Sequence, residues 1–334
     1  MTLRTRPLGT SGPEITTVGF GAWAVGGGGW SYGWGPQDDD ASIAAIRHAV
    51  SVGVGWIDTA AIYGVGHSEE VVGRAIAGIP AADRPLVFTK CGLLADEADH
   101  FGPIVRDSSP AHLRLECERS LRRLGVDTID LLQIHWPDEI GTPVEDYWGE
   151  MARMVDEGKV RAVGVSNFGV ELLDACESVR HVDSLQPPFS LIQRDSGFDV
   201  IPWAAAHGTG VIVYSPMSSG ILTDAFSRAK VAAMGEGDWR RDSDNYRDPG
   251  LSRNLALRDA LKPIAARHGT TVSAVAVAWV LAWPGISGAI VGARSPEQVD
   301  GWLPAGNLTL TADDIEEMAV AAERLEVGSV PVRP

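Results

Sequence analysis

The stretch Trp56-Ile-Asp-Thr-Ala-Ala-Ile-Tyr63 puts an acid at the end of a short apolar run and a tyrosine five residues later. Runs of the same kind, rich in β-branched residues, recur at 16–23, 87–92, 128–136, 160–168, 184–190, 210–216 and 288–293. Several are apolar nearly throughout, as 129–134 and 211–214 are, which is the pattern of strands covered on both faces. Amphipathic helical stretches alternate with them. The segment 38–53 opens on acids and closes on glycine, and Ser109-Pro110 opens another that ends at Gly125. In that second segment Leu113, Cys117, Leu121 and Leu124 lie along one face. Segment 143–158 carries Val144, Tyr147, Trp148, Met151 and Val155 at helical spacing, and 199–208 and 255–269 also end on glycine. Eight strand-then-helix units without a linker predict one domain over 1–334, a closed α/β barrel of the (β/α)8 TIM type, rather than two doubly wound domains.

Three features depart from a plain barrel. Residues 2–15 read as a hairpin, with Thr10-Ser11-Gly12 at its turn, that could plug the barrel bottom. Residues 217–254 form a polar connection too long for a simple loop, which suggests a lid. Segments 271–283 and 312–325 read as additional helices.

Composition narrows the function. The chain has 334 residues, 45% hydrophobic and 22% charged, as an ordinary globular protein does. No apolar run reaches the ~18 residues of a membrane span, and Met1 to Pro7 lacks the apolar core of a secretory signal, so a cytoplasmic location is expected. A formal net charge of −16 argues against nucleic acid or an anionic membrane as partner. It leaves room for a phosphorylated ligand, which a few local cations can hold. Cys91, Cys117 and Cys176 are odd in number and contain no Cys-x-x-Cys pair, so neither a disulfide framework nor zinc is predicted. Cys117 and Cys176 fall on apolar helix faces and read as small buried hydrophobes. His67 and Glu69 lack metal-ligand spacing. Ser68, Glu69 and Glu70 read instead as capping residues of the next helix, and no metal is expected.

The chemistry is written at the strand ends. Asp58, Lys90 and His135 close successive runs, and Tyr63 follows the first of these. In such a barrel the C-terminal strand ends meet at one mouth. A free phenol, with a pKa near ~10, is a poor acid at neutral pH. A neighbouring ammonium lowers that pKa, so Lys90 is expected to activate Tyr63, with Asp58 holding Lys90 charged. His135 can donate to an oxygen on which negative charge builds. Each residue alone has an ordinary structural reading; recurrence on consecutive strands argues for a site that reduces a carbonyl group. No side chain supplies a hydride, so a nicotinamide is implied. Trp23, Trp30 and Trp136, with Tyr63 and His135, are the expected substrate pocket, and Trp239 is placed nearby. Gly19-Phe-Gly-Ala-Trp-Ala24 superficially matches a dinucleotide fingerprint, but the acids ~20 residues on, Asp38 to Asp40, open a helix instead of ending a strand. A barrel glycosidase needs two carboxylates about 5–10 Å apart at the mouth, and only Asp58 is placed there.

Longer motifs carry a resemblance. Val18-Gly-Phe-Gly-Ala-Trp23, Ile57-Asp-Thr-Ala-Ala-Ile-Tyr-Gly64, His67-Ser-Glu-Glu-Val-Val-Gly73, Asp130-Leu-Leu-Gln-Ile-His-Trp136 and Gly158-Lys-Val-Arg-Ala-Val-Gly-Val-Ser-Asn-Phe168 resemble those of aldo-keto reductases. So do Tyr214-Ser-Pro-Met217, Ile221-Leu-Thr223 and Val291-Gly-Ala-Arg294, and the match runs nearly end to end. The bacterial branch related to potassium-channel β subunits is the most similar. The resemblance implies a catalytic tetrad of Asp58, Tyr63, Lys90 and His135, with Tyr63 as general acid. It implies NADPH, with NADH as the alternative, lying extended across the mouth beside Gly21, Ala22, Trp23 and Asp58. Ser166, Asn167 and Gln186 would bond the carboxamide, and Tyr214 would stack on the nicotinamide. Ser215, Pro216, Met217, Ser218, Gly220 and Leu222 would wrap the pyrophosphate. Gly292, Arg294 and Gln298 would surround the adenosine phosphate. Gly301-Trp302 replaces the family's Glu-Asn, so Trp302 is assigned to the adenine. Gln298 replaces an arginine of many relatives, leaving Arg294 as the cation. A small carbonyl compound is the implied substrate, and a monomer or small homo-oligomer the implied assembly. The competing reading is a cofactor-binding sensor or interaction protein with little turnover.

Overall fold

The computed structural model describes residues 2–80, 82–235, 238–328 and 332–334. Strands β1 (Thr5–Pro7) and β2 (Glu14–Thr16) form an antiparallel hairpin, followed by β3 (Val18–Gly21), β4 (Trp56–Asp58) and β5 (Leu86–Cys91). Next come a small antiparallel pair, β6 (Leu93–Leu94) and β7 (Val105–Arg106), then β8 (Ile129–Ile134), β9 (Val160–Ser166), β10 (Ser184–Gln186), β11 (Gly210–Val213) and β12 (Ile286–Gly292). The eight strands expected from the apolar runs, β3, β4, β5 and β8 to β12, close into one parallel barrel. Some are shorter than their runs. β10 stops at Gln186 because Pro187 and Pro188 have no N–H to donate to a ladder.

Helices cover the outside, and their ends follow local chemistry. Asp38 accepts from Ala41 N at 2.8 Å and starts Asp39–Ser51. Pro110–Leu124 ends at Gly125, whose φ of 65° is the left-handed cap that glycine adopts without strain. Of the two helices expected as additions, Ala312–Arg324 does pack outside the ring, against Gly250–Ala260. Val272–Leu281 does not: nine of its ten residues are buried, and it packs on β12 and on Pro296–Trp302 as part of the ring. Its uniformly apolar sequence reflects burial on all sides. The helix expected at 255–269 begins earlier and is broken, as Gly250–Ala260 and Lys262–Arg267. No single helix among the described residues is long and apolar enough to cross a membrane. The expected lid carries short helical turns, including Arg228–Ala232 and Trp239–Asp242; its residues 236 and 237 lie outside the described residues.

Alternation of side chains decides what the barrel encloses. Trp56 and Asp58 share a face of β4, Phe88 and Lys90 a face of β5, and Leu131 and Gln133 a face of β8. The register sets Asp58 beside Phe88, Phe88 beside Leu131 and Lys90 beside Gln133. Trp56, Phe88 and Leu131 thus form an apolar layer with Ala162, Ile212 and Ile290. The next inward positions toward the C-terminal ends are Asp58, Lys90 and Gln133, all buried. A methyl group on Gly19 would sit 2.2 Å from the Trp56 ring, so glycine there is what admits the indole.

The hairpin plugs the opposite end. Leu8 and Ile15 join the apolar layer from below. Thr10 N bonds Gly208 O at 2.8 Å, and Ser11 Oγ donates to Asp183 at 2.7 Å. Ile15 is fully enclosed, so Ile15→Val is expected to cost about 1 kcal/mol in denaturant unfolding. An unchanged midpoint would mean that the plug is not part of the cooperative core.

Candidate active site

Register carries Asp58, Lys90 and His135 to one mouth. Lys90 Nζ donates to Asp58 Oδ1 at 2.5 Å, to Thr59 O at 2.9 Å and to Tyr63 Oη at 3.3 Å. Tyr63 sits in the turn after β4, and its ring meets that of His135 edge-on, with centroids 5.6 Å apart. Gln186 reaches across the barrel to donate to Asp58 Oδ2 at 2.9 Å. Asp58 is therefore held by an ammonium on one oxygen and an amide on the other. Ser68 fastens the turn, donating to Ala22 O at 2.8 Å and sharing a 2.9 Å hydrogen bond with Thr59.

The capping role expected of Ser68 and Glu69 is not what the structure shows. The helix His67–Ile76 starts from Gly66 without a side-chain cap. Glu69 is buried, accepting from Thr89 Oγ1 at 2.6 Å and from Arg123 at 2.7 Å. Thr89 precedes Lys90, so this buried carboxylate braces the strand that presents the lysine. Burial required a partner, and Arg123 lies too far along the chain for helix-start patterns to reveal it.

The electrostatics correct one expectation. Burial pushes the Tyr63 phenol above its ordinary pKa; Lys90 pulls it down, but Asp58 opposes that pull. The phenol is thus less acidic than free tyrosine, because burial outweighs the pull of the ammonium and Asp58 adds to burial. Burial works against the Lys90 ammonium too, yet Asp58 and Tyr63 outweigh it and hold the lysine charged. Burial, aided by Lys90, keeps His135 well below the usual imidazole value, so it is neutral. A neutral imidazole still donates from one nitrogen.

Aromatic side chains wall the mouth. Trp23 lies between Tyr63, at 6.2 Å and 25° between planes, and Trp239 of the long 217–254 connection, at 5.8 Å and 15°. Trp30, Tyr63, Trp23 and Trp136 share one apolar cluster, and the Arg106 guanidinium lies over Trp136. The residues expected to line the pocket thus lie together at the mouth. Trp34 and Arg240, which the sequence did not single out, close the rim: the guanidinium lies 4.4 Å from the Trp34 ring centroid and pairs with Asp238 at 2.6 Å. Nothing periodic marks residues 24–37, which is why Trp34 and the neighbouring Gln37 were not legible.

The cofactor residues divide. Ser166 Oγ donates to Gln186 O at 2.8 Å, Asn167 Nδ2 donates to Ser166 Oγ and to His135 O at 3.0 Å each, and Tyr214 Oη donates to Asn167 Oδ1 at 2.8 Å. This amide-and-hydroxyl set beside the Tyr214 ring has the donors and acceptors that a carboxamide requires. Asn167, Ser215, Ser218 and Ser219 have φ of 64°, 57°, 48° and 50°. Left-handed backbone at non-glycine residues is costly and clusters where loops clamp ligands. Tyr246, another residue missed, donates to Ser218 O and Ser219 O at 3.2 and 3.1 Å and pins that loop. A methyl on Gly292 would meet only Gly21 O, at 3.5 Å, so backbone can be approached closely there. Gly21 ends β3 beside it. Pro216, Met217 and Gly220 lie in the same loop as the strained serines, and Gln298 Oε1 accepts from Arg294 N at 2.9 Å.

Three assignments fail. Trp302 is 1% exposed and packed in the main core, so its indole cannot reach an adenine; the apolar replacement of Glu-Asn serves packing. Leu222 is fully buried and its N–H bonds Met217 O, so it anchors the loop from beneath. Ala22 is fully buried with N–H and carbonyl bonded to Asp58 O and Ser68 Oγ, so both of its backbone polar groups are spent on joining β3 to β4 and the turn after it.

The comparisons agree with this geometry. The model of the Aldo/keto reductase family matches residues 17–323. The chain is 34% identical to Aldo-keto reductase YhdN of Bacillus subtilis over 98% of this chain and 95% of the relative. It is 31% identical to the NADH-specific methylglyoxal reductase of Escherichia coli, over 96% and 98%. The structure of the glycerol dehydrogenase AKR11B4 from Gluconobacter oxydans superposes with a TM-score of 0.87 at 36% identity, covering 99% of this chain and 97% of that one. With the family matched across almost its whole length, this chain belongs to the aldo-keto reductases.

Proposed function

We propose that this chain is a cytoplasmic enzyme that reduces an aldehyde or ketone to an alcohol, reversibly, using NADPH or NADH, with Tyr63 as general acid. The observation that carries the reading is the relay Asp58–Lys90–Tyr63, at 2.5 and 3.3 Å, in which the acid and the lysine are buried and the half-buried phenol opens onto an aromatic-walled mouth. The nicotinamide, when bound, supplies the hydride. Ser166, Asn167 and Gln186 would hold its carboxamide, and Tyr214 would present a flat face to the ring. Tyr63 gives the proton: its oxygen accepts from Lys90, which leaves its own hydrogen free for the substrate oxygen. Neutral His135 donates to the same oxygen as charge develops there. The aromatic walls exclude water and favour compact apolar carbonyl compounds.

The first test is multiple turnover with 4-nitrobenzaldehyde, followed by cofactor absorbance. Tight cofactor binding without turnover would leave the sensor reading instead.

The pH profile tests the proton assignments. A general acid acts in its protonated form, and the Tyr63 pKa lies above the ordinary value of ~10. Reduction is therefore expected to stay flat across neutral pH and to fall only above ~10. Oxidation needs the phenolate and should rise about tenfold per pH unit through the same range. Because His135 titrates well below ~6.5, no limb is expected there. A limb near neutrality in reduction would assign the proton to another group.

A further inference from the structure

Arg294, the cation left for an adenosine phosphate, is already engaged. Its Nε donates to Gln37 Oε1 at 2.5 Å, one terminal nitrogen donates to Pro36 O, and the other lies 3.5 Å from Trp34 O. The Gln37 amide reaches back to Arg294 O at 3.3 Å and to Ser42 Oγ at 3.0 Å, which fixes its orientation against the following helix. Arg294 follows β12 at the C-terminal face, where the loops after the last two strands of such barrels commonly bind phosphate. Arg240 lies over the Trp34 ring but is paired with Asp238. Three of the five N–H groups of Arg294 are thus committed to the rim loop, and a phosphate arriving there competes with those bonds for the guanidinium.

We infer that Gln37 is a cofactor-discriminating residue: by occupying Arg294 it reduces the advantage that a 2′-phosphate would give NADPH over NADH. This rests on the nicotinamide reading above and adds to it a residue on the opposite wall of the mouth. Gln37 is neutral and its amide oxygen is a single acceptor, so its hold is weaker than a carboxylate's would be. Discrimination is thereby set by an exchange between Gln37 and phosphate, and by more than the presence of Arg294.

The test is calorimetric binding of 2′,5′-ADP and of 5′-AMP to the full chain, which needs no turnover. Gln37→Ala is expected to tighten 2′,5′-ADP about tenfold, the worth of one charge-assisted hydrogen bond, with 5′-AMP unchanged. Gln37→Glu, which gives Arg294 a stronger partner, is expected to weaken 2′,5′-ADP alone. Adding Arg294→Ala to Gln37→Ala should erase the gain. Equal 2′,5′-ADP affinity in wild type and Gln37→Ala, with 5′-AMP still bound, would overturn the role of Gln37 and leave the nicotinamide reading standing. Failure of wild type to bind 5′-AMP, together with no fluorescence response to NADH, would remove both.

Discussion

Replacing Tyr63 with phenylalanine is expected to lower kcat for carbonyl reduction about 100- to 10,000-fold, the usual worth of a positioned general acid. The substitution is narrow. The ring keeps its stack on Trp23 and its edge-on contact with His135, so the pocket shape survives. Only the hydroxyl is lost, with its 3.3 Å hydrogen bond from Lys90. His135 cannot take over, because a neutral imidazole that gives up its one N–H proton becomes an unstable anion. Dinucleotide affinity should be unchanged, since the carboxamide set lies on Asn167, Ser166 and Gln186. Stopped-flow measurement of the hydride step together with fluorescence titration of NADPH separates the two effects. Turnover near wild type would remove Tyr63 from the chemistry, whatever its distance from Lys90.

Much of this arrangement could be read in the sequence because it rests on short-range rules. Trp56 and Asp58, Phe88 and Lys90, and Leu131 and Gln133 each differ by two positions, so strand alternation alone puts the charged residue above the apolar one. Glycines 53, 125 and 208 mark helix ends by backbone freedom, which is local. What could not be read is long-range or quantitative. Whether Val272–Leu281 lies in the ring or beyond it depends on which apolar surface covers it. The burial of Trp302 depends on the same thing, and a sequence departure from a family motif looked like a ligand contact when it was a packing change. The Tyr63 acidity failed for a different reason. Its sign is the balance of burial and Asp58 against Lys90, and both the depth of burial and the 2.5 Å contact between Lys90 and Asp58 are distances in the fold, not patterns in the sequence.

That same contact sets the second large effect. Lys90→Met is expected to destabilise the protein by about 3–5 kcal/mol, because it strands the Asp58 carboxylate where solvent cannot reach it. The side chains of Lys90 and Asp58 are 0% and 4% exposed, and among the described residues Gln186 would remain as the side-chain partner of Asp58. The Lys90 pKa lies above the ordinary lysine value, so its stabilisation is fully present at neutral pH and is lost only as pH rises through that higher value. Adding Asp58→Asn to Lys90→Met removes the stranded charge, and urea unfolding should show much of the loss recovered. Activity should not recover, because Tyr63 still lacks its ammonium. The double-mutant cycle thus separates two roles of one lysine: neutralising a buried acid, which an apolar side chain opposite an amide can replace, and stabilising a transient phenolate, which it cannot. If Lys90→Met unfolds at the wild-type midpoint, Asp58 is not a buried anion that depends on Lys90.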